Sequence, residues 1–139
     1  RSVNFEFLRP VAPALADLAA FAESYAHADP SGSAMKLRAF SEQLVLGIYA
    51  DAGLIKPQRA DLLDLLRSAE FVRLVPSQVL DKLHAVRKQG NAGAHGGQLQ
   101  QRTALWLISE LFDVARWLFV SRFGGSLDQV PAFKFIYGN

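Results

Sequence analysis

Apolar residues recur at three- and four-residue spacings along most of the chain, and this periodicity predicts helices. Leu15, Leu18, Ala19, Ala22 and Tyr25 share one face of a helix over about residues 13–27. Asp29-Pro30 reads as an N-cap followed by proline at the first helical position, opening a second helix that runs to about Ala52. Met35, Leu37, Phe40, Leu44, Val45, Ile48 and Tyr49 surround much of its circumference, the pattern of a central helix, and Gly53 stops it. Pro57 opens a short third helix to about Arg67 with Leu62, Leu63, Leu65 and Leu66 as its apolar side. Residues 68–75 read as an irregular apolar bridge. Pro76-Ser77 starts a fourth helix with Val79, Leu80, Leu83 and Val86 inward, and Gly96-Gly97 breaks the pattern. A fifth helix spans about residues 98–123 with Leu105, Ile108, Leu111, Phe112, Ala115, Leu118 and Phe119 as a dense core face, until Gly124-Gly125 ends it.

The ends differ. Residues 1–10 alternate Val3, Phe5 and Phe7 with polar residues, predicting an extended arm that lays aromatics on the body. The tail from Ser126 to Asn139 carries Phe133, Phe135, Ile136 and Tyr137, read as an extended linker toward a following domain. The expected fold is all-α, a bundle of four to five helices over residues 1–125, with residues 126–139 as that linker.

One stretch departs from the apolar pattern. On a helix at about 100° per residue, His84, Arg87, Lys88, Asn91 and His95 fall at roughly 0°, −60°, 40°, −20° and 20° relative to His84. Five polar side chains thus share one stripe, with Gly90, Ala92, Gly93 and Ala94 between them. Three readings are open. Asn91 and His95 could be buried and hydrogen-bonded, fixing helix register. Arg87, Lys88 and His84 could present a cationic strip to phosphates or an acidic partner. Or His95 with a neighbouring cation could perform acid–base chemistry on RNA. Arg38 and Glu42, at i and i+4 on the second helix, form either an ordinary ion pair or a polar pair aimed at this stripe. Asp61, Asp64, Arg67 and Lys82 read as solvated helix faces.

Composition narrows the classes. Half the residues are hydrophobic and 20% are charged, suiting one packed domain in 139 residues. A net charge of +2 permits contact with nucleic acid without arguing for it. There are no cysteines, which excludes disulfides and thiolate metal sites and fits a cytoplasmic setting. No metal is expected, since the nearest pairing is Asp81 with His84. The apolar stretch 104–123 holds Glu110, Asp113, Arg116 and Arg122, so it reads as a core helix and not a membrane span. Phosphate-binding glycine loops, nucleophile elbows and H-E-x-x-H are missing. The chain opens at Arg1 without methionine, read as a domain excised from a longer protein.

Three segments together carry a resemblance: NFEFL at 4–8, DPSGSAMKLRAFSE at 29–42 and LHAVRKQGNAGAH at 83–95, followed by Ala115-Arg116-Trp117. Nearly the whole chain resembles, in the expected order, the N-terminal helical domain of type I restriction enzyme R (motor/endonuclease) subunits. That domain is assigned to the HEPN superfamily. The resemblance implies a HEPN-like bundle, often dimeric, with Arg38, Glu42, Asn91 and His95 as family-motif residues, while Arg87, Lys88 and His84 stay, on their charge alone, the candidates for contact with nucleic acid or a partner. Nucleases of the superfamily carry R-x4-6-H and cut RNA without metal. His95 matches the histidine, Lys88 occupies the arginine position, and Arg87 lies one residue too far. Lysine lacks the planar bidentate fork of arginine. The resemblance therefore implies a non-catalytic accessory domain of a DNA restriction complex, with the metal-independent endoribonuclease using His95 with Lys88 or Arg87 as the alternative. It also implies ATP and Mg2+ in other domains of the parent protein, which would be an ATP-dependent translocase and endonuclease acting in defence against foreign DNA. Other subunits of that complex, and DNA or RNA, are the implied partners, with no membrane.

Overall fold

The computed structural model describes residues 1–94 and 98–138. Among them the chain is all-helical and no strand forms. The α-helices are α1 (Pro13–Tyr25), α2 (Pro30–Asp51), α3 (Leu62–Arg67), α4 (Ala69–Leu74), α5 (Ser77–Ala94) and α6 (Gln101–Ser121). α2 is the central element, packing against α1, α5 and α6 and burying Leu37, Phe40, Leu44, Val45, Ile48 and Tyr49. It starts where the sequence signals: the Asp29 carboxylate accepts a hydrogen bond from the Gly32 N–H at 3.0 Å, and Pro30 occupies the first turn. It ends at Gly53, whose φ of +68° is open to glycine at little cost.

Six α-helices, rather than four to five, form among the described residues. The added one is α4, inside the expected irregular bridge. Ser68 caps it, its hydroxyl accepting from the Phe71 N–H at 3.1 Å, and Phe71 is fully buried with its ring stacked on Tyr49. A helix of six residues is too short to display an apolar period, and packing decides it. α3 begins at Leu62 rather than Pro57 for a similar reason. Asp61 accepts from the Asp64 N–H at 2.9 Å while Asp64 accepts from the Asp61 N–H at 3.1 Å, a reciprocal cap made by two residues that stay exposed as expected.

The N-terminal arm is folded, not extended. Glu6–Leu8 form a 3-10 turn, Phe5 and Leu8 are fully buried, and Phe7 packs edge-on against Phe112 and Phe119. The buried Glu23 carboxylate of α1 holds the arm, accepting hydrogen bonds from Ser2 Oγ (2.6 Å), Val3 N–H (2.8 Å) and Asn4 N–H (2.9 Å). These contacts turn Val3 outward, which breaks the single-face alternation. The tail does run without secondary structure over residues 131–138, and it lies along the arm. Asn4 clasps Lys134 with both amide atoms, at 3.0 and 2.7 Å, and His27 Nε2–H donates to the Ile136 carbonyl at 2.8 Å. Phe133 packs on Phe112. No helix of the described residues is long and apolar enough to cross a membrane.

Candidate functional site

α5 organises the site because two of its faces have opposite characters. Val79, Leu83, Val86 and Gly90 are buried and lie at helical spacing, forming the core stripe. Arg87, Asn91, His84 and Lys88 point roughly 80°, 120°, 140° and 180° away from Val79 around the helix. The polar stripe is therefore carried outward. Lys88 is exposed, and His84, Arg87 and Asn91 are half-buried. Asn91 flanks the core rather than lying within it, and its side chain has no hydrogen bond among the described residues. His95 lies outside the described residues.

α3 and α6 flank this outer face and leave a groove of about 560 Å³. α3 contributes Leu63 and Arg67, α5 contributes Asp81, His84, Ala85, Arg87, Lys88 and Gln89, and α6 contributes Trp106. Three permanent cations thus converge on it, with Asp81 as its one carboxylate. Partial burial pushes the His84 imidazole below its ordinary pKa, and the positive charges of Arg87, Lys88 and Arg67 push the same way against a weaker opposite pull from Asp81. His84 thus carries little charge at neutral pH and offers one ring N–H donor and one acceptor.

Arg38 reaches the same region from the other side of α5. Its side-chain stem lies against Gly90, and among the described residues its guanidinium forms only a long pair with Glu42, at 3.6 Å. Asp61 is held below the usual carboxylate range, first by the Asp64 backbone N–H, with smaller contributions from the Arg38 and Arg87 guanidiniums. α2, α3 and α5 pack against one another, so Arg38, Arg87 and the capped start of α3 lie on three mutually contacting helices. The Nε atoms of Arg38 and Arg87 are buried without a hydrogen-bond partner among the described residues. Asp81 and His84 do line one groove, but no group of three metal-ligating side chains occurs among the described residues. The expected solvated Lys82 instead ties α5 to α6, with Nζ 2.6 Å from Glu110 and 3.1 Å from Asp113.

Two groove residues were not legible as site residues. Arg67 reads as an ordinary solvated charge. Trp106 did leave a signal, being a large aromatic about half a turn from the apolar face of α6 defined by Ala104, Ile108, Leu111 and Ala115. A larger cleft of about 750 Å³ lies between α1, the arm and the tail. Glu23 and His27, which line it, are engaged in holding those segments. The cationic groove is thus the better candidate.

The chain matches no protein-family model, no curated protein and no solved structure. Fold and site define its class: a small all-helical bundle with a half-open, cationic groove edged by tryptophan.

Proposed function

We propose that this chain is a non-catalytic interaction domain of a type I restriction R subunit, and that its groove contacts nucleic-acid phosphates. The observation that carries the binding reading is the convergence of Arg67, Arg87 and Lys88 on one groove against a single carboxylate. Such a cluster attracts a polyanion by releasing its condensed counterions. The restriction assignment rests on the three resembling segments, each of which has a structural task. NFEFL inserts Phe5 and Leu8 into the core, DPSGSAMKLRAFSE caps and builds α2, and Gly90 lets α5 meet Arg38. A segment committed to packing in this way suits a docking module. In the parent protein, ATP-driven translocation and Mg2+-dependent cleavage would belong to other domains, within a cytoplasmic restriction complex.

The test is fluorescence anisotropy with labelled oligonucleotides over a salt series, comparing the native chain with Arg87→Glu/Lys88→Glu. Binding in the range of about 10⁻⁴–10⁻⁶ M is expected, with log K falling linearly against log salt. The double charge reversal should weaken binding and lower the slope by about 1.5–2. An unchanged slope overturns the reading. RNA cleavage in EDTA that disappears in His95→Ala would replace the non-catalytic assignment with a metal-independent endoribonuclease.

A further inference from the structure

The groove pairs two chemistries that occur together in one kind of ligand. On one side stands Trp106, on α6, with 47% of its surface exposed. On the floor and the opposite side stand Lys88, Arg87 and Arg67. Ala85 of α5, a small side chain, lines the same groove. Among the described residues, the aromatic pairs and the cation–π contacts involve other rings, those of Phe21 and Phe112 for the latter. Among the described residues, no other ring and no cation stacks on the indole, although cations lie in the same groove. A half-exposed tryptophan on the outer face of a helix is an apolar surface without an internal use.

A nucleotide with a free base matches this arrangement, because it joins a flat π face to a phosphate. A duplex does not match it equally. Its bases are stacked on one another and its outside offers chiefly phosphates, which the cations can hold without help from Trp106. We infer that the groove takes a single strand, with Trp106 as the platform on which one unpaired base stacks while the adjoining phosphates lie against Arg67, Arg87 and Lys88. This inference rests on the nucleic-acid reading above. Asp81, the one carboxylate of the groove, repels phosphate and marks one end of the cationic stretch. The indole reads a base face without reading its edges, so sequence preference is weak.

Anisotropy titrations decide it, using oligo(dT), oligo(rU) and a duplex, each of about 20 nucleotides per strand so as to exceed a groove-sized site. They compare the native chain with Trp106→Ala, Trp106→Phe and Arg87→Glu/Lys88→Glu, each checked for folding by circular dichroism. Single strands should bind tighter than duplex. Trp106→Ala should lower single-strand affinity by about 5- to 150-fold, the equivalent of one stacked base, and leave duplex affinity unchanged. Trp106→Phe should retain most of the single-strand affinity, which separates stacking from a packing defect. The tighter of oligo(dT) and oligo(rU) identifies the backbone. Equal affinity for single strand and duplex, or an equal loss of both in Trp106→Ala, overturns the stacking inference. If duplex binding still falls on charge reversal in that case, the phosphate reading stands without it; if no oligonucleotide binds, both fail.

Discussion

Gly90 of α5 lies directly against Arg38 of α2: a Cβ at position 90 would stand 2.7 Å from the Arg38 Cβ and 3.1 Å from the Ala34 carbonyl oxygen. The hydrogen of glycine sets the separation of the two helices there, and with it the position of the stripe that follows on α5. Gly90→Ala should destabilise the fold by about 1–3 kcal/mol through overpacking, although alanine favours a helix by about 1 kcal/mol. Gly47 provides the control. It lies exposed on the same α2, and a Cβ there meets nothing within 4 Å. Gly47→Ala should stabilise by about 1 kcal/mol. Urea denaturation of the two variants should therefore shift the midpoint in opposite directions; shifts of the same sign would show that residue 90 is not at a close approach.

Glu23 is the anchor of the arm. Its carboxylate accepts from Ser2 Oγ and from the backbone N–H groups of Val3 and Asn4. Glu23→Ala leaves these donors unpaired and releases the segment that inserts Phe5 and Leu8. A loss of about 2–3 kcal/mol is expected, the cost of unsatisfied buried groups. Limited proteolysis should find the new cleavage in residues 1–10, and an unaltered digestion pattern would contradict the anchoring role.

Lys82 bridges α5 and α6 through Glu110 and Asp113, all partly buried. The hydrogen bond to Glu110 raises the Lys82 pKa first, with Asp113 assisting. The bridge therefore contributes stability that is full below the unfolded value of about 10.5 and is lost as pH rises through the higher folded value. Lys82→Met should cost about 1 kcal/mol in low salt and less at high ionic strength. A thermal melt series across salt concentration measures both.

His84 has the opposite linkage. Its folded pKa is below the ordinary 6.5, because of burial first and then the charges of Arg87, Lys88 and Arg67. The unfolded chain binds the proton more readily, so folded-state stability declines as pH falls through about 6.5 toward the folded pKa. Histidine NMR titration should place His84 below 6.5, and His84→Gln should flatten that part of the stability–pH curve. Bound phosphate should move the titration upward by placing negative charge near the ring.

The long helices were legible because each repeats its apolar stripe over several turns. The bounds of α2 follow from Asp29-Pro30 and Gly53, and the core face of α6 from its leucines and phenylalanines. α4 was not legible, since two turns contain too few apolar positions to show a period, and Phe71 is committed by Tyr49 from another helix. The outward stripe of α5 was visible as a pattern, but its direction was not. The angle between His84 and Lys88 follows from helix geometry alone, whereas their exposure depends on Val79, Leu83, Val86 and Gly90 taking the core side.

The sequence by itself determined the helical class, the caps at Asp29 and Gly53, and the gathering of His84, Arg87, Lys88 and Asn91 on one face of α5, because all of these depend on near neighbours in the chain. Only the tertiary structure decided that Arg67 and Trp106 join that face in one groove, that Arg38 and Ala34 are what Gly90 meets on α2, and that Asn4 clasps Lys134 at the far end of the chain. The physical reason is range. Hydrogen bonds within a helix and side-chain spacing act over a few residues, while a groove is made by surfaces from distant segments that meet only when burial of the shared core brings their helices together.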